Sequence, residues 1–180
     1  MIPLHNHEVI ISICENDLNK MKRIVKSFTL NLNFRSFLDG WTPLLLAAKL
    51  GQAKTVRSLV KYGADLGFSR GIDNLTPLHA AVSSGNVKTV IGNKFTNSVP
   101  KYFVFCIFFF FPFSALVELG ANPNATWDPF YGFEYIEPGG KPPTTAITPM
   151  HIAAFMGFAD IVEFLLSVGA NIEGTLVQLF

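Results

Sequence analysis

Few side chains in this sequence are of types that perform chemistry, and their spacing argues against it. The histidines are His5, His7, His79 and His151, and the cysteines are Cys14 and Cys106. A metal site needs three or four converging His, Cys or carboxylate ligands, each giving a lone pair to a fixed coordination shell. His5, His7 and Cys14 form a loose group with too few ligands. His79 and His151 stand 72 residues apart, neither with a cysteine or carboxylate at ligand spacing, so neither a metal nor an acid–base role is expected of them. Pro138-Gly139-Gly140-Lys141 has part of a phosphate loop but continues into Pro-Pro instead of a helix. Glu134 and Glu137 read as solvated loop charges. The expectation is a chain with no catalytic residue, no cofactor and no metal, and therefore not an enzyme.

The elements carrying those histidines repeat. Thr42–Gly51 (TPLLLAAKLG), Thr76–Gly85 (TPLHAAVSSG) and Thr148–Gly157 (TPMHIAAFMG) align without gaps. Threonine caps a helix N-terminus by accepting a bond from an unpaired backbone N–H. Proline beside it fills the first helical position, where no N–H is needed. Ala-Ala leaves a small-residue face that lets a neighbouring helix approach closely. The glycine nine residues after each threonine suits a left-handed turn. Past it, Val56 with Leu59, and Val162 with Leu165, recur at helical spacing, and Gly63 and Gly169 end the second helix. Each unit is thus turn, helix, turn, helix.

Three in-register copies, with Thr76 following Thr42 by 34 residues, resemble the ankyrin repeat, whose period is about 33 residues with a T-P-L-H-x-A signature. The resemblance covers most of Leu38–Glu173. It implies an all-α ankyrin-repeat solenoid of about four helix–turn–helix repeats, near 7–38, 39–71, 72–124 and 145–174, in a domain spanning 7–174. It also implies structural roles for Thr42, Pro43, Gly51, Thr76, Pro77, His79, Gly85, Thr148, Pro149, His151 and Gly157, with the histidines bonding to the backbone of neighbouring turns. Leu45 replaces that histidine in the first full copy, which weakens its bond network. Residues 7–33 read as a worn N-terminal repeat, with Val9, Ile10, Ile11 and Ile13 on its first helix and Met21, Ile24 and Val25 on its second. Terminal repeats are often atypical because one face meets water.

Two interruptions separate Thr76 from Thr148. Gly92–Ser114 is Phe-rich and falls within a second helix; removing its 23 residues places Leu116 eight residues past Gly85, and Gly120 twelve past. We read it as translated intron sequence: Gly92-Asn93 can encode a splice donor, Ser114-Ala115 an acceptor, and the Phe codons a pyrimidine tract. The competing reading is a membrane span at Phe103–Val117, which is short of the roughly 20 apolar residues required and contains a proline. Ala125–Ile147 is a long loop between repeats, rich in Pro, Gly and aromatic residues, where FYGFEYIEP suggests a small hairpin. Trp127, Phe130, Tyr131 and Tyr135 in it are types enriched at binding hot spots; the alternative is that the rings, Phe133 above all, pack on the solenoid.

A net charge of +1 with 15% charged residues argues against a nucleic-acid binder or a polybasic membrane surface. Distant cysteines fit a reducing, intracellular setting, and the N-terminus lacks a secretory pattern. The expected function is protein–protein interaction, and the expected location is the cytoplasm. The resemblance implies contacts through turn tips and the concave surface of the first helices, at Trp41, Lys49, Leu50, Leu75, Ser83, Ser84, Ile147, Phe155 and Met156. The alternatives are a regulatory ankyrin segment of a larger enzyme or channel, or a non-functional fragment. Residues 175–180 read as a truncated tail of a longer product.

Overall fold

The computed structural model describes residues 4–36, 40–71, 73–84, 112–127 and 146–172. These contain eight helices in four pairs: α1 (Leu4–Cys14) with α2 (Leu18–Phe28), α3 (Pro43–Lys49) with α4 (Ala53–Lys61), α5 (Pro77–Ser83) with α6 (Pro112–Glu118), and α7 (Pro149–Phe155) with α8 (Ala159–Ser167). The first helices pack in sequence, α1 on α3, α3 on α5 and α5 on α7; α2 packs on α4 and α4 on α6. The result is an all-α repeat fold with two stacked helix rows. Residues 85–111, which hold Gly85 and most of the Phe-rich segment, lie outside the described residues, as do 128–145 and 173–180.

Caps and left-handed turns set the phase. Thr42 Oγ1 accepts from Leu45 N at 3.1 Å, and Thr148 and His151 form a reciprocal capping box. Gly51 and Gly157 adopt φ of +76° and +70°, where a side chain would be strained. The first pair achieves the same turn without glycine. Asn16 at φ 55° stands where Gly51 stands, and Thr29 at φ 44° ends α2. The second helices close identically: Leu59, Leu116 and Leu165 are 0% exposed. Their carbonyls accept from Ala64, Ala121 and Ala170 N–H at 3.0, 2.8 and 2.9 Å. Truncating any of these leucines would cost about 2–5 kcal/mol through transfer and cavity terms.

The turns between pairs share one closing bond. Ser36 N–H donates to Trp41 O at 2.8 Å, Arg70 N–H to Leu75 O at 3.1 Å, and Trp127 N–H to Ile147 O at 2.8 Å. Ile147 N–H returns the bond to Trp127 O at 2.9 Å, making an isolated antiparallel bridge, the one β pairing among the described residues. The bonded residues Trp127 and Ile147 are 20 apart in the chain, where Ser36 and Trp41, and Arg70 and Leu75, are five apart, and α7 still packs directly on α5. The aromatic hairpin expected at FYGFEYIEP lies outside the described residues.

Candidate functional site

Asp73, buried in the turn before α5, accepts from three side chains or amides. Arg70 Nη2 and Nε donate to its carboxylate, the Leu75 amide donates at 3.2 Å, and Trp127 Nε1 donates at 2.9 Å. Burial by itself raises the Asp73 pKa, but the bonds from Arg70, Trp127 and Leu75 outweigh it and hold the carboxyl below its ordinary value. Arg70 also lies 5.6 Å above the Trp41 ring. Trp41, Arg70, Asp73 and Trp127 thus tie three successive turns together. Sequence reasoning missed Asp73 and Arg70, although Asp39 precedes Thr42 by three residues just as Asp73 precedes Thr76, a recurrence that could have found Asp73.

His79 is fully buried beside this cluster. Its Nδ1 accepts from the Thr76 hydroxyl at 2.8 Å, and its Nε2 donates to Ile147 O at 3.0 Å. Desolvation pushes its pKa down to about 4 against the opposing pull of the Ile147 carbonyl and Asp73. The imidazole is therefore neutral at pH 7 with both nitrogens used, which suits a strut and not a proton shuttle. His151 caps α7 through its Nδ1, which accepts from Thr148 N–H at 3.1 Å. Where Leu45 replaces histidine it is itself buried, and the Thr42 cap still forms. Among the described residues no three His, Cys, Asp or Glu side chains are placed to hold a metal ion.

The candidate contact residues divide. Leu75 is 6% exposed and belongs to the core; its carbonyl closes the turn, which turns its side chain to the stack and away from a partner. Trp41, Trp127 and Ile147 are half-buried and pack against the core, Trp127 with its indole N–H already committed to Asp73. Trp127, named from its residue type as a contact candidate, thus also braces the turn before α5. Phe130, Tyr131 and Tyr135 lie outside the described residues, as does Phe133.

The others line up at the ends of the first helices. Lys49, Ser83 and Phe155 occupy one repeat position, and Leu50, Ser84 and Met156 the next. Lys49 Nζ reaches Ser83 Oγ at 3.5 Å, while Ser83 and Ser84 donate to backbone carbonyls of their own helix. Phe155 is 90% exposed, Leu50 45% and Met156 43%. Leaving a phenylalanine in water forgoes about 1.5–3 kcal/mol of burial.

Between repeats, a second unanticipated device recurs. Asn33 accepts from Asp65 N–H at 2.8 Å and reaches Gly63 O at 3.5 Å. Asn124 does the same to Asn171 and Gly169 at 2.7 and 3.2 Å. Each asparagine clamps the end of the next second helix.

A family model described as ankyrin repeats (three copies) matches residues 9–92, and one described as ankyrin repeat matches residues 147–174. No curated protein matches the chain. No helix among the described residues is long and apolar enough to cross a membrane.

Proposed function

The chain belongs to the ankyrin-repeat family, and from that premise we propose that it is a non-catalytic scaffold that binds another protein through the C-terminal ends of its first helices. Ankyrin repeats are in general protein-interaction modules. The observation that carries the choice of surface is Phe155, an aromatic side chain 90% exposed beside Met156. Leu50 is exposed at the position equivalent to Met156 two repeats earlier, with Lys49, Ser83 and Ser84 supplying polar contacts between. Solitary exposed apolar residues need no explanation, whereas a row of them at equivalent repeat positions suits an apolar partner surface.

A photoreactive benzophenone residue placed at position 155, and separately at 166 on the exposed side of α8, tests this in the cell. Adducts to another protein from position 155 and none from 166 are the expected outcome. The reverse pattern, or adducts from neither, refutes the assignment of this surface.

A further inference from the structure

The row of second helices is divided by charge. Helices α2 and α4 carry Lys20, Lys22, Arg23, Lys26, Lys54, Arg57 and Lys61, half of the chain's 14 basic residues, with no carboxylate among them. Helices α6 and α8 carry Glu118, Asp160 and Glu163 and no base. Repeat stacking aligns Lys22 with Arg57 and Lys26 with Lys61, so the positive charges form rows along adjacent helices. Arg57 is paired with Glu118 at 2.9 Å and Lys20 with Glu15 at 2.7 Å. Lys22, Arg23, Lys26, Lys54 and Lys61 make no ion pair among the described residues.

Like charges on neighbouring helices repel, which costs stability unless something compensates. We propose that this face, distinct from the first-helix row, docks an acidic peptide segment of a partner protein. Three observations select that occupant. The cations span two repeats, Glu118 on α6 is taken up by Arg57, and α8 carries Asp160 and Glu163 with no base, so a nucleic-acid duplex continuing along the stack would meet repulsion. The buried apolar residues of α2, Met21 and Val25, are committed to the core, which leaves only Ile24 and the exposed Phe28 beside the α1–α2 cleft, too few to lay the helix into a lipid bilayer. Between α1 and α2 an open cleft of about 270 Å³, lined by Lys20, Arg23, Ile24, Ser27, Phe28 and Glu8, has room for one side chain against Ile24 and Phe28, with Lys20 and Arg23 beside it for flanking acidic residues. The Glu8 carboxylate in that wall lies within hydrogen-bond distance of His5 Nδ1, at 3.3 Å.

The test uses the full chain and a fluorescent peptide of glutamate and serine with one central leucine, read by anisotropy. Binding should weaken steeply with added salt, because these charges are exposed and screened within about 10 Å at 0.1 M. Lys26→Glu with Lys61→Glu should weaken binding about tenfold or more, and Lys26→Gln with Lys61→Gln by a smaller factor in the same direction. The pair Leu166→Glu with Ser167→Glu, which adds negative charge on the exposed side of α8, should leave it unchanged, and serine in place of the leucine should cost several-fold. Equal losses in the control pair, indifference to the leucine, no binding at all, or tighter binding to phosphatidylserine vesicles or duplex DNA that the same reversals abolish, would each overturn the assignment. Far-UV circular dichroism of every variant separates lost binding from lost folding.

Discussion

Replacing His79 by leucine separates the strut's hydrogen bonds from its titration. The folded imidazole has a pKa of about 4 against an ordinary value of 6.5, chiefly because burial disfavours the charged form. Between those values the unfolded chain takes up a proton that the folded chain refuses. The stability it contributes is therefore complete above pH 6.5, falls as the pH drops through the window, and stops falling near 4, where the folded imidazole also protonates. At about 1.4 kcal/mol per pKa unit the loss sums to about 3 kcal/mol, a large part of the roughly 5–15 kcal/mol that holds a domain folded. The leucine variant starts lower at neutral pH, by about 1–3 kcal/mol, because Ile147 O and Thr76 Oγ1 lose their partner. It then escapes the acid-driven loss. Asp73, whose pKa is held below its ordinary 3.8, contributes stability that is lost only as the pH falls below that window. Urea denaturation followed by circular dichroism from neutral pH to about 4 should show the wild-type midpoint falling towards that of His79→Leu. Two curves that stay parallel would refute the argument, because the pH dependence would then arise elsewhere.

Two further substitutions act on the repeat frame. Thr29 ends α2 at φ 44°, a conformation costing a side-chain-bearing residue about 1–2 kcal/mol; Thr29→Gly should raise the denaturation midpoint by a net of about 0.5–1 kcal/mol after the entropy of glycine is deducted, and a lower midpoint would count against the strain. Gly67 occupies the position of the Asn33 and Asn124 clamps, its N–H bonded to Asp65 Oδ1 at 2.9 Å just as Asn124 N–H is to Asn122 Oδ1. A Cβ there meets only Asp65 Oδ1 at 3.6 Å, so Gly67→Asn should bond Asn122 N–H and Gly120 O and add about 1 kcal/mol, with amide exchange slowed at Asn122; unchanged exchange would show that the clamp does not form.

Much of the fold was legible because its signals act over short distances. Thr42-Pro43 and Thr148-Pro149 start helices through bonds made within three residues, and each glycine ends one within its own turn. The equivalence of Leu59, Leu116 and Leu165 follows from the glycine four residues after each. The worn first pair was legible from its apolar spacing, although nothing local announced that Asn16 and Thr29 would take up the left-handed turns. The contact surface was less legible. Leu75 and Leu50 are the same residue type beside similar motifs, yet one is core and the other surface.

The amino-acid order alone determined the periodic helix pairs, their caps and the apolar faces they must bury, since all three follow from backbone preferences and side-chain periodicity along the chain. Only the stacked structure decided which polar groups meet. Trp127 Nε1 finds Asp73 across 54 residues, and Asn124 finds Asn171 across 47. The physical reason is that a donor or acceptor held against the next repeat bonds to whatever group that repeat presents, and what is presented depends on how the repeats register against one another. The same stacking brought the lysines and arginines of α2 beside those of α4, because charges distant along the chain repel and attract according to their separation in space.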